Sequence, residues 1–173
     1  MTTAHVSTVD THLGPFTAVV APDGAVLASG WTADPDDLLP QVSPSLRPAD
    51  LTARRDLGEV TRAVRAYHRG DLAAIDGVPV RQRAGGFTEQ AWTALRAVPA
   101  GRTVSYAEYA GLAGRPAAVR AAASACAKNA ATLFVPCHRV VRTGGATGNF
   151  RWGVETKRRL LAHEARARPQ LSS

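Results

Sequence analysis

The rhythm of apolar and polar positions changes along the chain. In the front third, Leu13-Gly14-Pro15-Phe16-Thr17-Ala18-Val19-Val20 runs like a strand, Pro22-Asp23-Gly24 supplies turn chemistry, and Ala25-Val26-Leu27-Ala28 resumes the strand. That order predicts a β-hairpin. Thr32 to Asp50 carries four prolines and four aspartates without any period, which predicts a loop. Between Leu51 and Tyr67, apolar residues at Leu57, Val60, Val64 and Tyr67 keep helical spacing, and Arg69-Gly70 ends that helix. Residues 71–87 read as extended and then loop-like, with Ala84-Gly85-Gly86 as a linker. The expected division is an N-terminal α/β lobe over 1–84, with a structural role, and a mainly helical lobe over 85–173.

Past the linker the pattern turns helical. Thr88 is placed to cap a helix carrying Trp92, Leu95 and Val98, which Pro99-Ala100-Gly101 stops. Ser105 and Glu108 form a capping box for a second helix running to Gly114. Pro116 suits the first position of a third, extending to about Lys128. Two short helices joined at Gly114 predict a helix-turn-helix. Seven alanines lie within Ala117–Ala127, where Arg120 is the one long side chain. So thin a helix fits either a tightly packed interior or a backbone that approaches a surface closely. Thr132-Leu133-Phe134-Val135 predicts a short buried strand, and Val154, Lys157, Leu160, Leu161 and Glu164 share one face of a closing helix. The overall expectation is an α+β fold.

Composition sets limits. At 173 residues, 45% hydrophobic and 20% charged, the chain can bury a core without staples. Its apolar runs fall short of a membrane span and it opens on no secretory pattern, so a cytoplasmic protein with no membrane partner is expected. Two cysteines, Cys126 and Cys137, exclude a disulfide framework or zinc ribbon, and no metal is expected. The +7 net charge is uneven. Residues 1–50 hold one basic and six acidic side chains, 51–100 eight and five, and 101–173 twelve and three. A basic rear half predicts a polyanionic partner, although 19 arginines against 2 lysines also fit a simple compositional bias.

The chemistry concentrates in Pro136-Cys137-His138-Arg139-Val140-Val141. A cysteine following a buried strand, with a histidine beside it, is placed for thiol activation, because the thiolate is the nucleophile. Glu164, a carboxylate on an apolar stripe, needs a partner, and His138 is a candidate. A Cys-His pair alone does not separate catalysis from packing. Cys126 reads as an apolar filler.

Pro136-Cys137-His138-Arg139-Val140 resembles the signature of the O6-alkylguanine-DNA alkyltransferases. Thr103-Val104-Ser105-Tyr106, Ala118-Val119-Arg120-Ala121, Asn129, Gly148-Asn149 and Leu160-Leu161-Ala162-His163-Glu164 stand at that family's spacings. Residues 87–164 are covered almost continuously, and Phe150-Arg151-Trp152-Gly153-Val154 is most similar to the C-terminal half of the bacterial adaptive-response (Ada) protein. The resemblance implies a ribonuclease-H-like N-terminal lobe and a helix-turn-helix that docks in the minor groove of double-stranded DNA. Arg120 would hold the place of an extruded base, with Ala121, Ser124 and Thr143 at the DNA. His138 would deprotonate Cys137 through a water, and Glu164 would orient the imidazole. Tyr106 would donate to guanine N3, Asn129 would brace the turn, and Val140, Phe150, Arg151, Trp152 and Cys126 would line the pocket. Cys137 would keep the alkyl group from O6-alkylguanine, and also from O4-alkylthymine, so the protein would act once, as a monomer, without a cofactor. Phe150 stands where the family commonly has tyrosine, and Arg151-Trp152 where many members have small residues; a narrower pocket is expected. The alternatives are a non-enzymatic alkyl-lesion sensor, which would lack the cysteine, and a DNA-binding regulator using the same helix-turn-helix.

Overall fold

The computed structural model describes Thr2–Ala167. The elements in chain order are β1 (Thr3–Thr11), β2 (Gly14–Val20), β3 (Val26–Gly30), β4 (Asp50–Ala53), α1 (Glu59–His68), α2 (Gly86–Arg96), β5 (Val104–Ser105), α3 (Tyr106–Leu112), α4 (Val119–Lys128), β6 (Val140–Val141) and α5 (Val154–Ala167). The described chain forms two compact units. One runs to Arg83 and takes in Ala130–Phe134; the other holds Ala84–Asn129 and continues from Val135.

The first unit is built on a four-stranded sheet in the order β3-β2-β1-β4. The expected hairpin is β2–β3, antiparallel, with Ala25 N–H held by Asp23 Oδ1 at 3.2 Å and Gly24 at φ +94°. That φ is one only glycine adopts without strain. β1 pairs antiparallel with β2, while β4 pairs parallel with β1. Neither β1 nor β4 was expected as a strand. Thr3–Thr11 mixes polar and apolar residues on both faces, and the four residues of β4 include none that is buried. Pairing with β1 takes Leu51–Ala53 out of the expected helix, so α1 starts at Glu59. There Asp56 Oδ1 accepts Gly58 N–H at 2.6 Å and the Thr61 hydroxyl, closing the helix start. The stretch expected as a loop keeps that character apart from two single 3-10 turns at Pro35–Asp37 and Leu39–Gln41 and its last residue, Asp50, which opens β4.

Phe16, Val19, Val26, Val64 and Tyr67 are buried together with Trp31 and His68. Trp31 Nε1 donates to His68 Nε2 at 3.2 Å, so the His68 proton sits on Nδ1, 2.7 Å from the Val64 carbonyl. The expected strand Thr132–Val135 does not form. Thr132 and Ser29 exchange side-chain-to-carbonyl bonds of 2.6 and 2.8 Å, and Ala131 bridges Ser29. Leu133 then takes φ +81°, the sole non-glycine with positive φ among the described residues, and breaks the extended run.

The second unit is helical with a two-stranded parallel pair, β5–β6. α2 starts two residues before Thr88, which lies inside the helix rather than capping it; Glu89 Oε2 accepts the Ala84 N–H at 2.9 Å. Val98 falls beyond the helix end but is buried, as are Trp92 and Leu95. The capping box of α3 is formed: Glu108 N–H to Ser105 Oγ is 3.0 Å, and Ser105 N–H to Glu108 Oε1 is 2.8 Å. α3 ends at Leu112, and Gly114 turns the chain with φ +94°. A Cβ at Gly114 would lie 2.7 Å from Gln90 Nε2, which donates to the Ala113 carbonyl. Pro116 does not open α4. It sits in the turn ahead of it, and the helix begins at Val119.

The alanine-rich α4 is tightly packed on one side and open on the other. Ala122 and Ala125, three positions apart, are fully buried, and Trp92 Nε1 reaches the Ala125 carbonyl at 2.8 Å. Arg120, Ala121 and Ser124 are exposed on the other side.

Candidate functional site

Cys137 sits in a single 3-10 turn, Cys137–Arg139, that leads directly into β6. Its own N–H donates to the Val135 carbonyl at 2.8 Å, and Arg139 N–H to the Pro136 carbonyl at 3.0 Å. So tight a turn fixes three consecutive side chains inward: Cys137, His138 and Arg139 are all buried. The facing stripe comes from α5, where Lys157, Leu160, His163 and Glu164 are buried. Val154 was expected on this stripe but is 37% exposed, because it is the first residue of the helix.

His138 Nε2 lies 2.7 Å from Glu164 Oε2. An ionised carboxylate only accepts, so this nitrogen carries the proton. Nδ1 of the same ring is buried and has no partner among the described residues. Arg139 occupies the same carboxylate side-on, with Nε to Oε1 at 3.0 Å and Nη2 to Oε2 at 2.9 Å, while Nη1 donates to the Val98 carbonyl at 2.7 Å. Burial pushes the Glu164 carboxyl up, but His138 and Arg139 outweigh it and hold it well below the usual carboxylate range. Burial lowers His138 against the opposing pull of Glu164, so the imidazole is neutral.

The Cys137 thiol is pushed up by burial, and Asn129, Arg151 and Lys157 only partly offset this. At neutral pH it is a thiol that needs a base. Asn129, fully buried, donates Nδ2 to the Val135 carbonyl at 2.8 Å. Tyr106, half-buried at the start of α3, has its phenol pushed up chiefly by burial and stays a donor. Gly148, at φ +77°, brings the loop after β6 close: a Cβ there would lie 3.5 Å from both Tyr106 Oη and Lys157 Nζ. Lys157 Nζ donates to the Val140 carbonyl at 2.7 Å, so one lone pair of an expected pocket carbonyl is already taken.

The structure thus collects Cys137, His138, Glu164 and Asn129 in one buried cluster, with Tyr106 half-buried nearby. The Arg151 guanidinium closes the C-terminus of α4, with Nη1 to the Asn129 carbonyl at 2.7 Å and Nη2 to the Ala127 carbonyl at 2.5 Å. Its cation also lies 6.0 Å from the Trp152 ring. Phe150, Trp152 and Cys126 are half-buried, and burial raises the Cys126 thiol far above its ordinary value, as a filler requires. Arg120, Ala121, Ser124 and Thr143 are exposed, apart from the buried cluster. Sequence reasoning assigned no role to Arg139 or Lys157. The signal for Arg139 was a charge count: a buried carboxylate beside a neutral histidine still needs a cation.

A buried thiol next in sequence to a buried histidine–carboxylate pair, in a unit whose helices α3 and α4 leave an arginine-bearing face open, is the setting of a thiol-centred site. The sequence profile of the 6-O-methylguanine DNA methyltransferase DNA-binding domain matches residues 86–166. The methylated-DNA–protein-cysteine methyltransferase of Mycobacterium bovis is 33% identical over 168 residues, covering 95% of this chain and 94% of that protein. The chain belongs to this family. It is also 43% identical over 118 residues to the bifunctional transcriptional activator/DNA repair enzyme Ada of Escherichia coli, covering 68% of this chain. It spans about a third of the length of that protein and of its Salmonella typhimurium counterpart (32% and 34%). Among solved structures, Mycobacterium tuberculosis OGT in complex with DNA matches with TM-score 0.77 and 28% identity over 94% of both chains. Among the described residues no helix is long and apolar enough to cross a membrane.

Proposed function

We propose that this protein repairs alkylated duplex DNA directly, moving the alkyl group of O6-alkylguanine, and of O4-alkylthymine, irreversibly onto Cys137. The observation that carries the reading is the state of His138: its Nε2–H is committed to Glu164, while its buried Nδ1 has no partner among the described residues and the residue before it is the buried Cys137. Nδ1 is therefore the basic nitrogen that takes the thiol proton, through one water. The thiolate sulfur attacks the alkyl carbon in line, a C–S bond forms, and the C–O6 bond breaks with its electron pair leaving on the base. The Tyr106 hydroxyl, a donor at this pH, supplies the hydrogen bond that stabilises the departing guanine at N3. A thioether does not hydrolyse, so each chain acts once, and the chemistry asks for no cofactor.

The lesion oxygen of a paired guanine is shielded within the duplex, so the base must be extruded, at a cost of a few kcal/mol. The exposed Arg120 is the side chain long enough to fill the gap and stack there, with Ala121, Ser124 and Thr143 against the sugar–phosphate backbone in the minor groove. Val140, Phe150, the Arg151 amide and Trp152 would hold the extruded base. The N-terminal lobe over 1–84 acts as scaffold, the lobe over 85–173 as repair domain, and the protein works as a cytoplasmic monomer. The family membership and the DNA complex of the Mycobacterium tuberculosis relative support this reading. A duplex carrying methyl-labelled O6-methylguanine tests it: transfer of one methyl per chain is expected, and binding without transfer would favour a lesion sensor instead.

A further inference from the structure

Arg139 follows Cys137 and His138 in the same 3-10 turn, and its described hydrogen bonds go to Glu164 and Val98 rather than to the thiol. Its fork fills both oxygens of Glu164, and its third donor is anchored on the Val98 carbonyl near the end of α2. The side chain is 1% exposed, so its charge is not screened by water. The charge count of this buried group decides what His138 can do. With Arg139 present, Glu164 and Arg139 cancel, and a protonated imidazole would add an uncompensated buried charge. Without Arg139, the neutral arrangement would be Glu164 carboxylate paired with an imidazolium. An imidazolium carries a proton on Nδ1 and cannot accept the one on sulfur.

We propose that Arg139 is a positioning residue for the transfer step: by neutralising Glu164 and fixing its carboxylate plane, it keeps His138 a neutral base with Nδ1 unprotonated. Every other charged group facing the imidazole acts in a known sense. Glu164, from α5, favours the imidazolium, whereas Lys157, also from α5, and Arg139, from the same 3-10 turn, oppose it. Lys157 is tied to the Val140 and Asn149 carbonyls at 2.7 and 3.4 Å and does not reach the carboxylate in the bonds described. Of these three groups, Arg139 is the one that both opposes the charge and binds Glu164 in the bonds described, with the Gly101 N–H also reaching Oε1 at 3.5 Å. The arrangement also explains why Glu164 cannot draw the proton off Nε2. A carboxylate already accepting two guanidinium bonds is too weak a base, so the tautomer stays fixed.

The inference rests on the proposed alkyl transfer, but its test reads the imidazole directly. Nitrogen-15 NMR of the full chain reports the tautomer and protonation of His138, assigned by its loss in His138→Gln. The wild-type ring should be neutral at pH 7, with Nε2 protonated and Nδ1 bare. In Arg139→Met the titration midpoint should rise by about one pH unit or more, and the acid limb of the single-turnover rate should move with it. Arg139→Lys should shift it less. A merely structural role would slow transfer at every pH without moving either midpoint, and that result overturns the proposal. An imidazolium at pH 7 in the wild type overturns it too, without recourse to a variant that folds poorly. If the wild type transfers no methyl group, the proposed function fails while the NMR outcome still judges Arg139.

Discussion

Asn129 and Val135 are joined by a side-chain amide to carbonyl bond of 2.8 Å that closes the chain around Ala130–Phe134. Asn129 ends α4, and Val135 precedes the cysteine turn and takes the Cys137 N–H on the same carbonyl. One buried amide therefore ties the end of the exposed helix to the backbone that carries the thiol. Removing it in Asn129→Ala leaves the Val135 carbonyl with the Cys137 N–H as its remaining donor and should cost about 0.5–1.5 kcal/mol of stability. Urea unfolding checks this, and a cost below the error of that method would show that the bond is dispensable.

Glu164→Gln keeps the shape of the carboxylate but strands Arg139 as a buried cation. A loss of about 3–5 kcal/mol is expected, as for other broken buried pairs. The pH dependence has a definite sign. Glu164 is depressed in the fold, so its contribution is full above the unfolded carboxylate value of about 4.3 and fades as pH falls toward the folded one. Wild-type stability should drop steeply below about pH 4, and the Gln variant should show a shallower acid decline in thermal melts.

Arg120→Ala should leave the fold intact, since the side chain is exposed. It removes the group proposed to offset base extrusion, so transfer from duplex should slow by roughly 10- to 100-fold, and transfer from a single strand far less. Equal slowing on both substrates would place Arg120 in ordinary backbone contact.

Without DNA, Cys137 should react sluggishly with iodoacetamide at neutral pH, because burial keeps it protonated. Its rate should still be climbing above the ordinary thiol value of about 8.5. A labelling plateau already reached at pH 7 would mean a resident thiolate and would remove the need for His138 as base.

Trp152 and Phe150 leave two half-buried rings in the loop before α5. Transfer from O6-benzylguanine should be slower than from O6-methylguanine in DNA, and Trp152→Gly should narrow the difference. Parity in the wild type would show that the loop does not restrict the pocket.

Much of this fold was legible because local signals and packing agreed. The Ser105–Glu108 box, the Gly114 turn and the Pro22-Asp23-Gly24 hairpin each depend on neighbours in sequence, and each forms. What escaped depends on distant partners. β4 exists only because β1 lies beside it, and the short run after Ala131 is interrupted where Leu133 turns. Pro116 has the chemistry of a helix start, yet the turn from Gly114 delays the helix by three residues. In the site, Cys137, His138 and Glu164 stood out through residue type and spacing. Arg139 and the helix-closing part of Arg151 did not, since an arginine's partner is chosen by the fold and leaves no periodic trace. The basic excess also divides: of the twelve cations in 101–173, Arg139 and Lys157 are buried, while others such as Arg120 are exposed.

The central claim is that Cys137 is the alkyl acceptor. Incubating excess methyl-labelled O6-methylguanine duplex with the wild type and with Cys137→Ala tests it most directly, reading label per chain and DNA binding together. A plateau of one methyl per wild-type chain, no label on Cys137→Ala, and undiminished binding by that variant are expected. Label retained in Cys137→Ala, or turnover beyond one methyl per chain, would contradict it.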